Sequence, residues 1–464
     1  MLGAEKPVLN YIRFSQTSDW NIKQIVSQVL FNSKFDRVCI GDCLKRIKDE
    51  VSVQDDVCYK RLTIKTKGGG VSVRDELLGQ DIKTKNQYLV SSGQLAVSKI
   101  DARNGAFGIV PDEANGAIIT GNFWAFNVDS NIVFPQYLVM LLSSEQFAQA
   151  WLECSNGSGN RLYLQEEKFL KYKIPLPSIP EQQALLDKYN VGMKKAGQAE
   201  HQAQMLNDNI DGYIMEYTDC TEIANMPMSS SLLKVKAFSK IVNWGAKLNA
   251  NAASPKELFL SKQYKNIALS AISEVNPTTT YPEELANKSI TFLPMECISD
   301  VYGEIADKYC GRISDSKGYT RFQENDILWA KITPCMQNGK CAVARELENG
   351  YGYGSTEYHV IRANTDKVLP EYLYCFLRTQ LVRKVAQTYF SGSAGQQRVG
   401  ADFLENLNIP LLPIRSDDKS QMTQETMVKQ VFEVKSKIKA LRKEAESLRQ
   451  RAKKEFEEAV FGGV

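Results

Sequence analysis

The sequence predicts a mixed α/β (α+β) fold: two similar globular domains separated by two long antiparallel coiled-coil helices, with a pseudo-two-fold internal repeat. Two observations carry this. Several motifs recur in the same order at offsets near 235 residues, and each copy ends in an apolar heptad seam. The 464-residue length fits about two to four domains. A hydrophobic content of 43% and a charged content of 24% give enough apolar material for more than one core.

The globular halves come first along the chain. Strand-like runs are RLTIKT (61–66), QLAVSKI (94–100), GAIIT (116–120), FWAFNV (123–128), DILWAKI (326–332) and EYHVIRA (357–363). They are rich in β-branched and aromatic residues and bounded by Gly, Asn and Asp. PQYLVMLLSSEQFAQAWLE (135–153) and PEYLYCFLRTQLVRKVAQTY (370–389) each read as one helix with proline in the first turn. The repeat pairs QLAVSKIDARNG (94–105) with DILWAKITPCMQNG (326–339), and VFPQYLVMLLSS with VLPEYLYCFLRT. It also pairs two Ser/Gly-rich loops, SNGSGNRLYL and SGSAGQQRV, and the proline stops KIPLP and NIPLLP that follow them.

After each stop the apolar positions alternate steps of four and three. The first seam includes Leu185, Tyr189, Gly192, Leu206, Ile210 and Tyr213, with alanines between. The second includes Val431, Val434, Ile438, Leu441 and Leu448, and Glu455 interrupts it beside Phe456. More than four heptads of this kind predict helices roughly 50 Å long. The small residues of the first seam favour close helix approach. The two seams pack on each other in this reading; covering their own domains or making an oligomer are the alternatives.

Several chemistries have no motif here. There is no phosphate-binding G-x-x-x-x-G-K-[ST] loop and no G-x-S-x-G elbow. GYGYGS (350–355) reads as a turn, NPTT (276–279) only resembles the start of a methyltransferase tetrad, and DIK (81–83) reads as solvated surface. Two histidines, and ten scattered cysteines without C-x-x-C spacing, argue against a zinc site or a histidine triad. The thiols read as reduced. No run approaches the ~18 apolar residues of a membrane span, and MLGAEKPVLNYIRF lacks a signal-peptide core, so a cytoplasmic location is expected.

A net charge of only +3 makes any nucleic-acid surface local. From Lys60 to Arg103 there are nine Lys/Arg against four Asp/Glu. Lys60, Arg61, Lys65, Lys67 and Arg74 surround Gly68, Gly69 and Gly70, whose backbone N–H groups could cradle a phosphate while the cations release counterions. A hairpin with a solvated charged face is the alternative. Asn160 and Arg161 in the first loop, and Lys331, Gln337, Asn338, Lys340, Gln397 and Arg398 in the second half, are types that bond base edges. Capping of the following helix is the alternative for the loops.

Together the two loops, the IPLP and IPLLP stops, PSIPEQQALLDKY (177–189) and the stretch from YKRLTIKTKGGG to GQLAVSKIDARNGAFGIVP resemble the specificity subunits of type I restriction-modification systems. The resemblance covers nearly the whole chain. It implies target-recognition domains at 1–179 and 219–424 and spacer helices at 180–218 and 425–464; the stretch 14–35 departs from the family pattern and reads as an extra helical lead-in. Each domain would read half of a bipartite, asymmetric DNA target through the residues named above. The helices would dock two methyltransferase subunits, with restriction/translocase subunits completing the complex. S-adenosylmethionine, ATP and Mg would then belong to the partners, with no cofactor or metal and no catalysis in this chain. The rival readings are a nuclease with an unrecognised metal site and a coiled-coil interaction protein that binds no DNA.

Overall fold

The computed structural model describes residues 33–158, 161–220, 254–393 and 396–462. The chain divides into two compact units, one of residues 1–198 and 445–464, the other of residues 199–444. The expected lead-in lies almost wholly outside the described residues, as does Asn160.

In the first unit the chain runs β1 (Arg37–Cys39), α1 (Ile40–Cys43), β2 (Leu44–Ile47), β3 (Asp49–Ser52), β4 (Cys58–Ile64), β5 (Val71–Leu78), β6 (Asn86–Leu89), β7 (Leu95–Ser98), β8 (Phe107–Ile109), β9 (Ile118–Ile119) and β10 (Phe123–Val128). Then come α2 (Pro135–Leu142), α3 (Glu145–Glu153), β11 (Ser155–Ser158), β12 (Arg161–Leu164), α4 (Glu166–Lys171), β13 (Lys173–Pro175) and the long helix α5 (Ile179–Asp208). A four-stranded sheet has the order β2-β10-β7-β8, and a five-stranded sheet the order β3-β6-β9-β4-β5. β1 pairs antiparallel with β13, so the domain's two ends lie side by side.

The core of this unit is aromatic. Trp151 is fully buried, with ring centroids 5.1 Å from Phe147, 5.4 Å from Phe169 and 5.8 Å from Phe107. Its Nε1–H donates to Leu142 O at 2.8 Å, so burial leaves no orphan polar atom. Phe456, Val460 and Phe461, from the end of the last helix, complete the core.

The second unit repeats the plan. After α6 (Ile210–Tyr217) come β14 (Asn266–Ala268), α7 (Leu269–Ile272), β15 (Ser273–Val275), β16 (Ser289–Leu293), β17 (Tyr309–Arg312), β18 (Thr320–Gln323), β19 (Ile327–Ala330), β20 (Cys341–Val343), β21 (Tyr351–Gly354) and β22 (Tyr358–Ala363). These lead to α8 (Pro370–Leu377), α9 (Gln380–Thr388), β23 (Phe390–Ser391), β24 (Arg398–Val399), α10 (Ala401–Glu405), β25 (Asn408–Pro410) and α11 (Gln424–Phe461). Here β15-β22-β19-β20 takes the place of β2-β10-β7-β8, β14 pairs with β25 as β1 does with β13, and β17-β16-β21-β18 forms the second sheet.

Each long helix is anchored at its start by a buried glutamine. Gln182 Oε1 accepts from Phe134 N–H at 2.8 Å, while its Nε2 donates to Ile132 O and Pro177 O at 3.0 and 2.9 Å. Gln424 Oε1 accepts from Leu369 N–H at 2.8 Å, while its Nε2 donates to Lys367 O and Leu412 O at 3.1 and 2.8 Å. Both side chains are fully buried. The proline stops thus supply carbonyls to these two glutamines, and a carbonyl each to the hydroxyls of Tyr137 and Tyr372.

Within the first unit the seam is antiparallel: Tyr189 packs on Phe456 at 6.3 Å, and Lys188 pairs with Glu455 at 3.2 Å. A Cβ at Gly192 would lie 2.7 Å from Ala452 Cβ, which is why this position takes no side chain. Within the second unit Glu200 pairs with Arg442 at 3.6 Å, and Ile210, Ile214, Met427 and Val431 join the core. Leu206, Tyr213, Val434, Leu441 and Leu448 are half-buried, and Ile438 is buried. Leu185 packs at the edge of the first core, where its neighbour Leu186 takes the buried position.

Three expectations are corrected. The helices expected over 135–153 and 370–389 each break in two. Ser144 and Thr379 are extended, and the Thr379 hydroxyl caps a new helix by accepting from Val382 N–H at 3.2 Å. The first spacer helix breaks between Asp208 and Ile210, where Asn209 starts α6. GYGYGS is a strand, not a turn: β21 lies between β16 and β18. A Cβ on Gly352 would come within 2.4 Å of the Phe322 ring, and one on Gly354 within 2.1 Å of Leu293 O. These glycines serve close approach.

Candidate nucleic-acid interface

The basic stretch of the first unit folds as the β4–β5 hairpin, whose register shifts between Arg61 and Leu62. Arg61 faces Asp75 across it and donates through Nε and Nη2 at 2.7 and 2.8 Å. Arg74 adds a third bond to the same carboxylate at 3.0 Å. The Arg61 hydrogen bond, reinforced by Arg74, holds the Asp75 carboxyl below its usual range. Two guanidiniums sharing one carboxylate leave a net positive surface.

Arg61, Arg74 and Lys83 line a cleft of about 320 Å³ with Asp81, Thr84 and Gln87, and apolar side chains including Leu62, Ile118 and Phe123 share the lining. Donors beside apolar groups suit the edges and methyl groups of bases. Sequence reasoning read Lys83, within DIK, as solvated surface, where it is indeed exposed, and did not single out Thr84 or Gln87.

The glycine turn does something else. Lys67 N–H donates to Asn104 O at 2.7 Å, Gly68 N–H to Gly105 O at 2.9 Å and Gly69 N–H to Thr66 O at 3.1 Å. Two of the three glycine N–H groups are therefore engaged within the protein, which corrects the phosphate-cradle reading. These bonds seat the turn on the segment carrying Arg103. Lys67, Arg103, Asn104 and Lys453 then line one cleft of about 330 Å³. Lys65 is exposed on the same turn. Lys60 is turned to Glu113 O at 3.0 Å, and neither cleft includes it. Arg161 sits in β12, its backbone paired with Ser158. Lys453 carries no local signal, because it lies far away in sequence.

In the second unit, three backbone bonds join the loop after β19 to its neighbours. Lys331 N–H donates to Glu357 O at 2.9 Å, Val399 N–H to Lys331 O at 3.0 Å and Thr333 N–H to Gln397 O at 3.0 Å. Arg398 closes on Glu357 with bonds of 2.8 and 2.6 Å. Its hydrogen bonds hold the Glu357 carboxyl below the usual range. Burial lowers the Lys331 ammonium, against the pull of Glu357. Lys331, Gln397 and Arg398 thus form one patch. Asn338 is exposed nearby in sequence. Lys340 is committed to Met295 O at 2.8 Å, and Gln337 gives its carbonyl to Arg383 at 2.9 Å.

His359 is structural. It is buried between Asn276 Nδ2 at 3.0 Å and Val399 O at 2.9 Å, and burial pushes its imidazole below the ordinary value. Among the described residues, no group of three or more His, Cys, Asp or Glu is placed to hold a metal, and no helix is long and apolar enough to cross a membrane.

Fold and surfaces define the class: a duplicated α/β domain, each copy bearing a donor-rich patch and anchored on a long helix. The chain belongs to the type I restriction modification DNA specificity domain family, whose pattern matches residues 38–188 and 261–449. It is 34% identical over 159 residues to the type I restriction enzyme EcoEI specificity subunit of Escherichia coli, and 36% identical over 152 residues to the EcoAI specificity subunit of the same organism. These matches cover 34% and 32% of this chain and 26% of each relative. The chain thus matches about a quarter of the length of these relatives. A chain from a solved structure on complex assembly and conformational transition of the type I R-M system shares the fold. Its TM-score is 0.52 at 14% identity, covering 93% of this chain and 98% of that one.

Proposed function

We propose that this chain is the DNA sequence-specificity subunit of a type I restriction-modification complex. It reads a bipartite, asymmetric duplex and docks two methyltransferase subunits for adenine methylation, with restriction/translocase subunits completing the assembly. The chain itself is non-catalytic and works in the cytoplasm. S-adenosylmethionine, ATP and Mg are bound by the partners.

The observation that carries this reading is the duplication within a DNA-specificity family: each unit repeats one domain plan and bears its own polar and cationic patch. Lys65, Lys67 and Arg103 act mainly on phosphates, which set register and salt dependence. Arg61, Arg74, Lys331, Gln397 and Arg398 are the side chains for base edges.

The test is to map methylated adenines in a genome with and without this chain. A two-part motif whose methylation vanishes with the chain is the expected result. Unchanged methylation, or cleavage of DNA by the isolated chain, would overturn the reading.

A further inference from the structure

The second unit holds a cavity of about 260 Å³ walled by four cations, Arg378, Arg383, Lys435 and Arg442, against two acids, Asp211 and Asp300. Most of the polar atoms in this wall already have partners. Arg378 donates to Gly339 O at 3.3 Å, Asp300 O at 2.6 Å and Val301 O at 2.9 Å. Lys435 donates to the Tyr374 hydroxyl and lies 4.5 Å from the centre of that ring. Asp211 accepts from Gln380 N–H at 2.7 Å, so the start of α9 is already satisfied.

Two donors remain. Among the described residues, Arg383 Nε and Arg442 Nη1 are buried without a hydrogen-bond partner. Arg383 spends Nη1 on Gln337 O, and among the described residues Arg442 has Glu200 at 3.6 Å and the Tyr302 ring at 5.8 Å as counterweights. Both residues line the cavity, and leaving buried charged donors unpaired is costly. The excess of positive charge acts on its members as well. Burial first, then repulsion from Arg378, brings the Lys435 ammonium down to about 8 and lowers Arg383.

We infer that this cavity binds one small oxyanion of the phosphate class, with Arg383 and Arg442 as its principal donors. The volume favours a single phosphoryl group, since pockets for drug-sized ligands run to roughly 300–1,000 Å³. A tetrahedral dianion presents several acceptors to guanidinium forks and offsets the surplus charge at once. The inference does not depend on the DNA-recognition reading.

The test is calorimetric titration of the full chain, in phosphate-free buffer, with inorganic phosphate. Saturable binding at one site is expected. Arg383→Gln and Arg442→Gln should each weaken it about tenfold, the scale of one charge-assisted hydrogen bond. Asp211→Asn keeps an acceptor for Gln380 N–H, removes an acid from the wall, and should tighten binding. The gain expected from that variant separates a binding site from a general loss of folding. Unsaturable heats, or equal affinity in all four proteins, overturn the inference. In a second arm a short duplex is added to the phosphate-loaded chain. Displacement that requires Arg442 assigns the anion to a backbone phosphodiester, and retention assigns it to free phosphate.

Discussion

Arg61 and Arg398 are built alike: in each domain a guanidinium fork closes on a carboxylate of the same surface, Asp75 or Glu357. Under the proposed function, holding the fork would reduce the rotamer freedom lost on meeting a base or phosphate. Among the described residues the Lys67 ammonium is in no ion pair, so its effect should be electrostatic. Lys67→Gln should weaken binding evenly across sequences and reduce the salt slope of affinity by about 1, measured by fluorescence anisotropy over a salt series. His359 gives a pH prediction of known sign. Its folded value lies below the ordinary 6.5, so stability is full above that pH and is lost as pH falls through it, when the unfolded chain takes up the proton first. Unfolding midpoints should therefore drop more between pH 7 and 5 in the parent than in His359→Gln. Single residues were the hardest scale to read from sequence. Arg61, Arg74, Lys331 and Arg398 stood out by type, but the bonds of Lys340 to Met295 and of the glycine turn to 104–105 join segments far apart in the chain. Lys453 reaches its cleft only through folding.

At the scale of elements, periodicity told most of the story. Heptad positions from Leu185 to Ile210 and from Val431 to Leu448 are buried or half-buried, because a 3.5-residue repeat presents a continuous seam. What periodicity missed were interruptions one residue wide. Ser144 and Thr379 each stand at the start of a new helix, only Thr379 capping it with its side chain, inside apolar patterns that stay helical on both sides, and β21 hides in a run of glycines that reads as a turn. The buried glutamines make a sharp prediction. Gln182→Leu or Gln424→Leu keeps the bulk but strands an N–H and two carbonyls, so each should cost about 2–5 kcal/mol by denaturant unfolding. Gly192→Leu should cost about 1–3 kcal/mol in the same assay, since even a Cβ there meets Ala452.

For the molecule as a whole, duplication would make the two proposed recognition surfaces separable in function. Arg74 variants should relax only one half of a two-part target, and Arg398 variants only the other. Selection of bound duplexes from a randomised pool by the assembled complex checks this, and simultaneous relaxation of both halves would sink it.

The paired strands at the base of each domain have one more consequence. β1 beside β13, and β14 beside β25, bring the chain back to where it left, so each domain is an excursion that begins and ends at one point. Length gained or lost inside the excursion need not shift the helix that follows. Such a layout behaves as a socket and a cartridge: the reading surface is free to diverge, or to be exchanged entire, while the fittings at the junction stay the same.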